Sequence, residues 1–234
     1  MALICVPVAV KKPEILLEKI ILAVRVVPDF IEIRVDYLEA MNIDFSDVVS
    51  KTPVPLILTV RKRDEGGFFK FGEEKRIEIL EKCIKAKPRL VDLELSMNGS
   101  TLERLLKLAE QNAVGVILSF HSFKDTPERE VLVQKIHEAA QKGVELVKIV
   151  AFAKEIRDNL VALSLPQEGN NLGINIISFC MGERGIISRA LCPFFGSYLT
   201  YASFETSTAP GQIHIEVMRR IHKLFYSLME KKFS

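Results

Sequence analysis

Short runs of β-branched and aliphatic residues recur along the chain at intervals of roughly 25–35 residues, and longer amphipathic stretches separate them. The runs are LICVPV from Leu3, FIEIRVD from Phe30, PLILTVR from Pro55, LVDLELS from Leu90, VGVILSFH from Val114, LVKIVAF from Leu146, INIISFCM from Ile174 and SYLTYAS from Ser197, eight in all. Between them, helices are expected over Pro13–Ala23, Glu73–Ala86, Leu102–Gln111, Pro127–Gln141, Lys154–Leu165 and Gly211–Leu228, with weaker helical signal after the second and seventh runs and a polar turn at Gln167–Asn171. Apolar strands alternating with helices specify an α/β protein with a parallel sheet. Eight such units match a closed (β/α)8 TIM barrel better than an open doubly wound sheet, which has fewer strands and a glycine-rich phosphate turn. Neither GxGxxG nor GxxxxGK[ST] occurs, and no linker or second domain interrupts residues 1–234.

Within FIEIRVD, Ile31, Ile33 and Val35 share one face and Glu32, Arg34 and Asp36 the other. A parallel strand covered by helices has no solvated face, so the charged side is expected to point into the barrel near its mouth. The pattern repeats. Thr59 and Arg61 end the third run, Asp92 and Glu94 interrupt the fourth, His121 ends the fifth, and Lys148 interrupts the sixth. Buried charges cost several kcal/mol each unless paired, so this many inside one barrel imply a mutually paired polar site, either an active site or a structural ion-pair network.

The length of 234 residues sits near the roughly 250 of one α/β barrel. Hydrophobic residues make up 48% and charged residues 26%, enough apolar material for a large core. A net charge of +2 gives no basis for a nucleic-acid or polybasic membrane surface, and a small-molecule partner fits better. The apolar start MALICVPVAVKKPE is followed rather than preceded by lysines, so it reads as a strand and not a signal peptide. No apolar run approaches the ~18 residues of a membrane span, and a soluble, cytoplasmic protein is expected. Cys5, Cys83, Cys180 and Cys192 lack zinc-like or CxxC spacing and read as buried thiols, with no metal site.

Lys148 in ELVKIVA is apolar on both sides, a setting where a lysine snorkels out or serves chemistry. An amine nucleophile needs its charge removed by desolvation or by neighbouring cations, which Arg34, Arg61 and the barrel interior are placed to supply. His121 lies one strand earlier, and adjacent strands are about 4.8 Å apart. Imidazole and amine can therefore address neighbouring carbons of one substrate. Condensing a ketone with the amine acidifies its α-protons, which a histidine can remove before protonating a leaving hydroxyl. His137, His214 and His222 fall in helical segments and are expected to face solvent or helix neighbours.

The pieces EIRVD (32–36), TVRKRDEGG (59–67), VDLELS (91–96), SFHSFKDTP (119–127), VKIVAFAK (147–154), MGERGIISR (181–189) and STAPGQI (207–213) resemble, in order and spacing, type I 3-dehydroquinate dehydratase. That shikimate-pathway family converts 3-dehydroquinate to 3-dehydroshikimate without a cofactor. The resemblance implies that Lys148 is the Schiff-base lysine, His121 the general acid/base and Glu65 the carboxylate that orients it. It places Glu32, Arg34 and Arg61 at the ring hydroxyls, Arg189 on the substrate carboxylate, and Thr208 and Gln212 on a loop that closes over substrate with its bend at Pro210-Gly211. Phe123, Met181 and Tyr201 map to packing around the ring, where core packing is an equal reading; Asp92 and Glu94 match an acidic strand without a catalytic step. Three departures stand out: Cys5 where a hydroxyl is sought for the carboxylate, Thr208 for a commoner serine, and Ser122 where some members carry an acid. A homodimer is typical of the family, although no interface patch is legible in the sequence. Two alternatives are a class I Schiff-base aldolase, against which EGG and STAPGQ speak, and a catalytically silent metabolite-binding barrel, against which the joint presence of His121, Lys148 and Glu65 speaks.

Overall fold

The computed structural model describes residues 2–40, 43–205 and 208–230. Eight strands form one parallel ladder: β1 (Leu3–Val8), β2 (Phe30–Arg34), β3 (Leu56–Thr59), β4 (Leu90–Glu94), β5 (Gly115–Ser122), β6 (Leu146–Phe152), β7 (Asn175–Met181) and β8 (Leu199–Tyr201). Their spatial order is β7-β6-β5-β4-β3-β2-β1-β8. The remaining seam between β7 and β8 is spanned by the Tyr198 amide donating to the Ile176 carbonyl at 2.8 Å and the Ser178 amide donating to Ser197 Oγ at 3.1 Å. The result is the expected single barrel, each strand falling within its sequence run except β5, which extends one residue past it to Ser122.

Helices surround the sheet: α1 (Leu16–Arg25), α2 (Phe45–Lys51), α3 (Glu73–Lys85), α4 (Gly99–Gln111), α5 (Arg129–Ala140), α6 (Asp158–Ser164), α7 (Pro166–Leu172), α8 (Ile186–Leu191) and α9 (Ile215–Glu230). Each long helix buries one stripe, as with Leu16, Ile20 and Ala23 on α1 or Leu102, Leu105 and Ala109 on α4. The weak helical signal after the second and seventh strands corresponds to the short α2 and α8. Gln167–Asn171 is not a turn but most of α7. Pro166 occupies its first turn, Gly173 closes it in the left-handed conformation (φ 70°), and Gly169 lies so close to β7 that a Cβ there would sit 2.5 Å from the Ile176 side chain. Four helices start later than expected: α1, whose first expected residues Pro13–Ile15 form a 3₁₀ turn, α5, and by the widest margin α6 and α9. Before α6, the Lys154 and Glu155 amides donate to the Asp158 carboxylate at 2.8 and 2.9 Å, and before α9 Gly211 is left-handed at φ 75°.

Two apolar layers follow from the two-residue period of the strands. Outward residues such as Ile4, Ile31, Leu58, Val91, Leu118 and Val147 pack with the helices in the main core. Inward residues Cys5, Phe30, Ile57, Leu90, Ile117, Leu146, Ile177 and Leu199 fill the barrel floor. Above that floor, toward the carboxyl ends of β2 to β6, inward positions turn polar, with Glu32, Thr59, Asp92, Ser119 and Lys148 one step above the floor. All four cysteines are buried free thiols. Among the described residues, no helix is long and apolar enough to cross a membrane.

Candidate active site

A cavity of about 310 Å³ opens at this polar end, and every residue expected at the site lines it: Glu32, Arg34, Arg61, Glu65, His121, Lys148, Arg189, Thr208 and Gln212. Phe123, Met181 and Tyr201 line it too. Register explains the convergence. Pairing sets Ser119 of β5 beside Lys148 of β6 and Thr59 of β3 beside Asp92 of β4, while His121 sits two residues further toward the mouth on the same face as Ser119.

Lys148 is buried, 5% exposed, and points inward rather than snorkelling out. Its Nζ donates to Asp92 Oδ2 at 3.2 Å and to the Tyr201 hydroxyl at 3.1 Å, lies 3.5 Å from Glu32 Oε1, and sits 4.4 Å from the Tyr201 ring centre. The two arginines expected to crowd the amine are each held by carboxylates. Arg34 forms a two-pronged pair with Asp36, both contacts 2.9 Å. Arg61 reaches Asp92 at 2.7 Å, Ser119 Oγ at 2.7 Å and Glu94 at 3.3 Å. Burial opposes the charge of Arg61, yet Asp92 and Glu94 outweigh it and raise its pKa. Burial likewise pushes the Asp92 carboxyl up, and Arg61, Lys148 and the Ser119 hydroxyl together hold it below the usual carboxylate range.

His121 Nδ1 faces Glu65 Oε2 at 3.1 Å, and Glu65 Oε1 accepts from Ser96 Oγ at 2.6 Å. Burial first, then the positive charges of Arg61, Lys148 and Arg34, push the imidazole well below its ordinary pKa of 6.5. It is therefore neutral at physiological pH, and with Nδ1–H donated to Glu65 the other ring nitrogen is a free base. Glu65 is pushed upward by burial, against the pull of Arg61 and Ser96. The EGG sequence has a local cause. Glu65 ends a 3₁₀ turn (Arg63–Glu65), Gly66 reverses the chain at φ 77° under the Phe123 ring, and a Cβ on Gly67 would lie 1.9 Å from the Arg61 carbonyl oxygen. Ser122 bonds Asp125 instead of the histidine, and Cys5 lies in the floor beneath the cavity.

Arg189, on α8, is 2% exposed; its guanidinium stacks 4.5 Å from the Phe179 ring centre and donates to the Pro210 carbonyl at 3.4 Å. Its Nε has no hydrogen-bond partner among the described residues. Burial lowers its pKa to about 10. A cation this poorly compensated marks a place for an anion. Thr208 and Gln212 bond each other, the Thr208 amide to Oε1 at 2.8 Å and Nε2 to Thr208 Oγ1 at 3.1 Å, and the Gly182 amide donates to Pro210 O at 3.2 Å to seat their loop. Ser207, the first residue of STAPGQI, lies outside the described residues.

Three polar residues escaped the sequence reading. Ser119 is two positions before His121 and Ser96 two after Glu94, so strand alternation carried a signal for both. Arg76 is on α3, where it occupies the stripe shared with Ile79, Leu80 and Cys83; it reaches Glu94 at 2.7 Å and the Val60 carbonyl at 3.0 Å.

The profile of the type I 3-dehydroquinase family matches residues 4–229. A 3-dehydroquinate dehydratase of Pyrococcus abyssi is 35% identical over 198 residues, 84% of this chain and 87% of its own length. The crystal structure of 3-dehydroquinate dehydratase from Geobacillus kaustophilus superposes with a TM-score of 0.90 at 27% identity, covering 99% of this chain and 93% of that one. The type I enzyme of Clostridium difficile, solved with covalently modified comenic acid, gives 0.86 at 27% identity over 97% and 93%. With its barrel and residues 4–229 of its sequence in agreement with them, this chain belongs to the type I 3-dehydroquinase family of lyases.

Proposed function

We propose that the chain dehydrates 3-dehydroquinate to 3-dehydroshikimate, a shikimate-pathway step, through a Schiff base on Lys148. The observation that carries this reading is the Lys148 amine held inside a cavity whose wall also bears a neutral imidazole on a carboxylate and a buried arginine short of a partner. Arg189 takes the substrate carboxylate as a planar fork on a planar anion. Glu32 and Arg34 meet ring hydroxyls as acceptor and donor. Arg61 joins them from a position already braced by Asp92 and Glu94.

The amine, having given one proton to a neighbouring base, attacks the ketone carbon; that proton departs with the carbinolamine hydroxyl as water and leaves an iminium whose positive nitrogen draws electron density from the adjacent carbon. The free nitrogen of His121 removes the C2 proton; the electron pair forms the enamine, which expels the C1 hydroxyl as His121 returns a proton to it. Water then hydrolyses the imine, restoring Lys148 and releasing product. Glu65 holds the ring in one tautomer throughout, and Thr208 and Gln212 cover the site from their loop. No cofactor enters these steps.

The test is to mix the chain with 3-dehydroquinate and follow dehydroshikimate absorbance. Turnover is expected, equal with and without EDTA and abolished in Lys148→Ala; an unaffected rate in that variant refutes the assignment. A silent metabolite-binding barrel would give no absorbance, and an aldolase would give cleaved fragments.

A further inference from the structure

The Lys148 amine has to shed a proton before it can attack a carbonyl, and the structure offers three acceptors around it. Asp92 is the least suited. Its Oδ2 is gripped by Arg61 at 2.7 Å, its Oδ1 accepts from Ser119 at 2.6 Å, and these contacts keep its proton affinity below the ordinary range. Glu32 is reached directly only at 3.5 Å, too long for a good hydrogen bond. The Tyr201 hydroxyl stands between them. It accepts from Lys148 Nζ at 3.1 Å and donates to Glu32 Oε1 at 3.2 Å, a continuous donor-to-acceptor chain in a fully buried setting. Phe179 packs against its ring at 5.8 Å between centres, which fixes the hydroxyl in place.

We propose that Tyr201 is a catalytic residue that relays the Lys148 proton to Glu32 as the amine attacks and passes it back to the carbinolamine hydroxyl that departs as water, the same path running in reverse as the imine is hydrolysed, an inference that rests on the Schiff-base reading above. In the forward sense an Nζ–H bond breaks and leaves its electron pair on nitrogen. The proton bonds to the Tyr201 oxygen while the original phenolic proton passes to Glu32 Oε1. Lysine ammonium plus glutamate carboxylate thus become amine plus carboxylic acid, with the tyrosine unchanged. Thr59, whose hydroxyl donates to the same Oε1 at 3.0 Å, can rotate to give way. Burial, reinforced by the neighbouring Glu32, pushes the phenol well above its usual pKa, so Tyr201 acts as a carrier that keeps a proton and not as an ionised base.

Tyr201→Phe keeps the ring and removes only the hydroxyl. Adduct formation is read as the rate at which borohydride traps dehydroquinate on the protein, in wild type and variant. The variant is expected to form adduct ~10²-fold more slowly, the lower end of the contribution of a single acid–base group. In the Glu32→Gln background the loss of the hydroxyl should add nothing, because both changes cut one path. Wild-type trapping with an undiminished rate in Tyr201→Phe, or effects that multiply in the double variant, overturns the relay and leaves the Schiff base standing. Absence of any adduct in wild type overturns the Schiff-base reading itself. A proton inventory on the wild-type trapping rate decides the matter even if the variant does not fold: two protons in flight give a curved dependence on deuterium fraction, and a straight line contradicts the relay.

Discussion

At the scale of single residues, the site separates groups that exchange protons from groups that hold charge still. Arg61, Asp92 and Glu94 are mutually paired in a buried set, whereas His121 has one nitrogen committed to Glu65 and is uncharged. A neutral imidazole is the form able to abstract a carbon-bound proton. His121→Ala should therefore still form the lysine adduct while losing elimination by ~10²–10⁴-fold, the usual contribution of a positioned acid/base. Single-turnover trapping alongside product absorbance checks this; equal loss of both would make the histidine structural. The residue types were legible in the sequence because polar side chains interrupt strands that ought to be apolar. Their partners were not. That Lys148 would lie against Asp92, Glu32 and Tyr201 depends on the register of four strands, which no single strand encodes.

Among the elements, α3 is coupled to the site by one side chain. Arg76 crosses from the helix layer to the end of the barrel, where it binds Glu94 and the Val60 carbonyl, and Glu94 in turn accepts from the Lys62 amide at 2.8 Å at the start of the segment that carries Glu65. Arg76→Met should lower unfolding stability by about 3 kcal/mol, the cost of breaking a buried ion pair from one side. Denaturant titration measures it, and a change near zero would mean that Arg61 and the Lys62 amide satisfy Glu94 without Arg76. The same element shows where periodicity misleads: an arginine on an apolar stripe reads as an interruption until its distant partner is known. Gln167–Asn171 misled differently. Its polar residues suggested a turn, but packing of Gly169 on Ile176 and the Pro166 and Gly173 ends make it helical. Tertiary contact overrode local polarity.

For the molecule as a whole, the barrel was legible because eight strand runs recur with helices between them, and five of them, β2 to β6, share an inward face that changes from apolar floor to polar mouth. Cys5, Ile57 and Ile177 lie at the floor, and Glu32, Asp92 and Lys148 above it. Such a core has a consequence for pH. Burial depresses both His121 and His222, the latter in contact with the Ala190 carbonyl, below 6.5. The unfolded chain therefore takes up protons near pH 6.5 that the folded chain refuses, and stability falls as pH drops from 7 toward 5. Glu65, pushed up by burial, works in the opposite sense in the window above its ordinary range. Thermal midpoints should decline over that interval and decline less in His222→Gln; a flat profile would show that the histidines do not stay neutral in the fold.

One measurement addresses the central claim, a ketone bonded to the buried amine of β6. The protein is reduced with borohydride in the presence of 3-dehydroquinate, digested, and the modified peptide sequenced by mass spectrometry. The added mass should fall on Lys148 alone and vanish in Lys148→Ala. Mass on another lysine, or none while dehydroshikimate accumulates, would contradict the account.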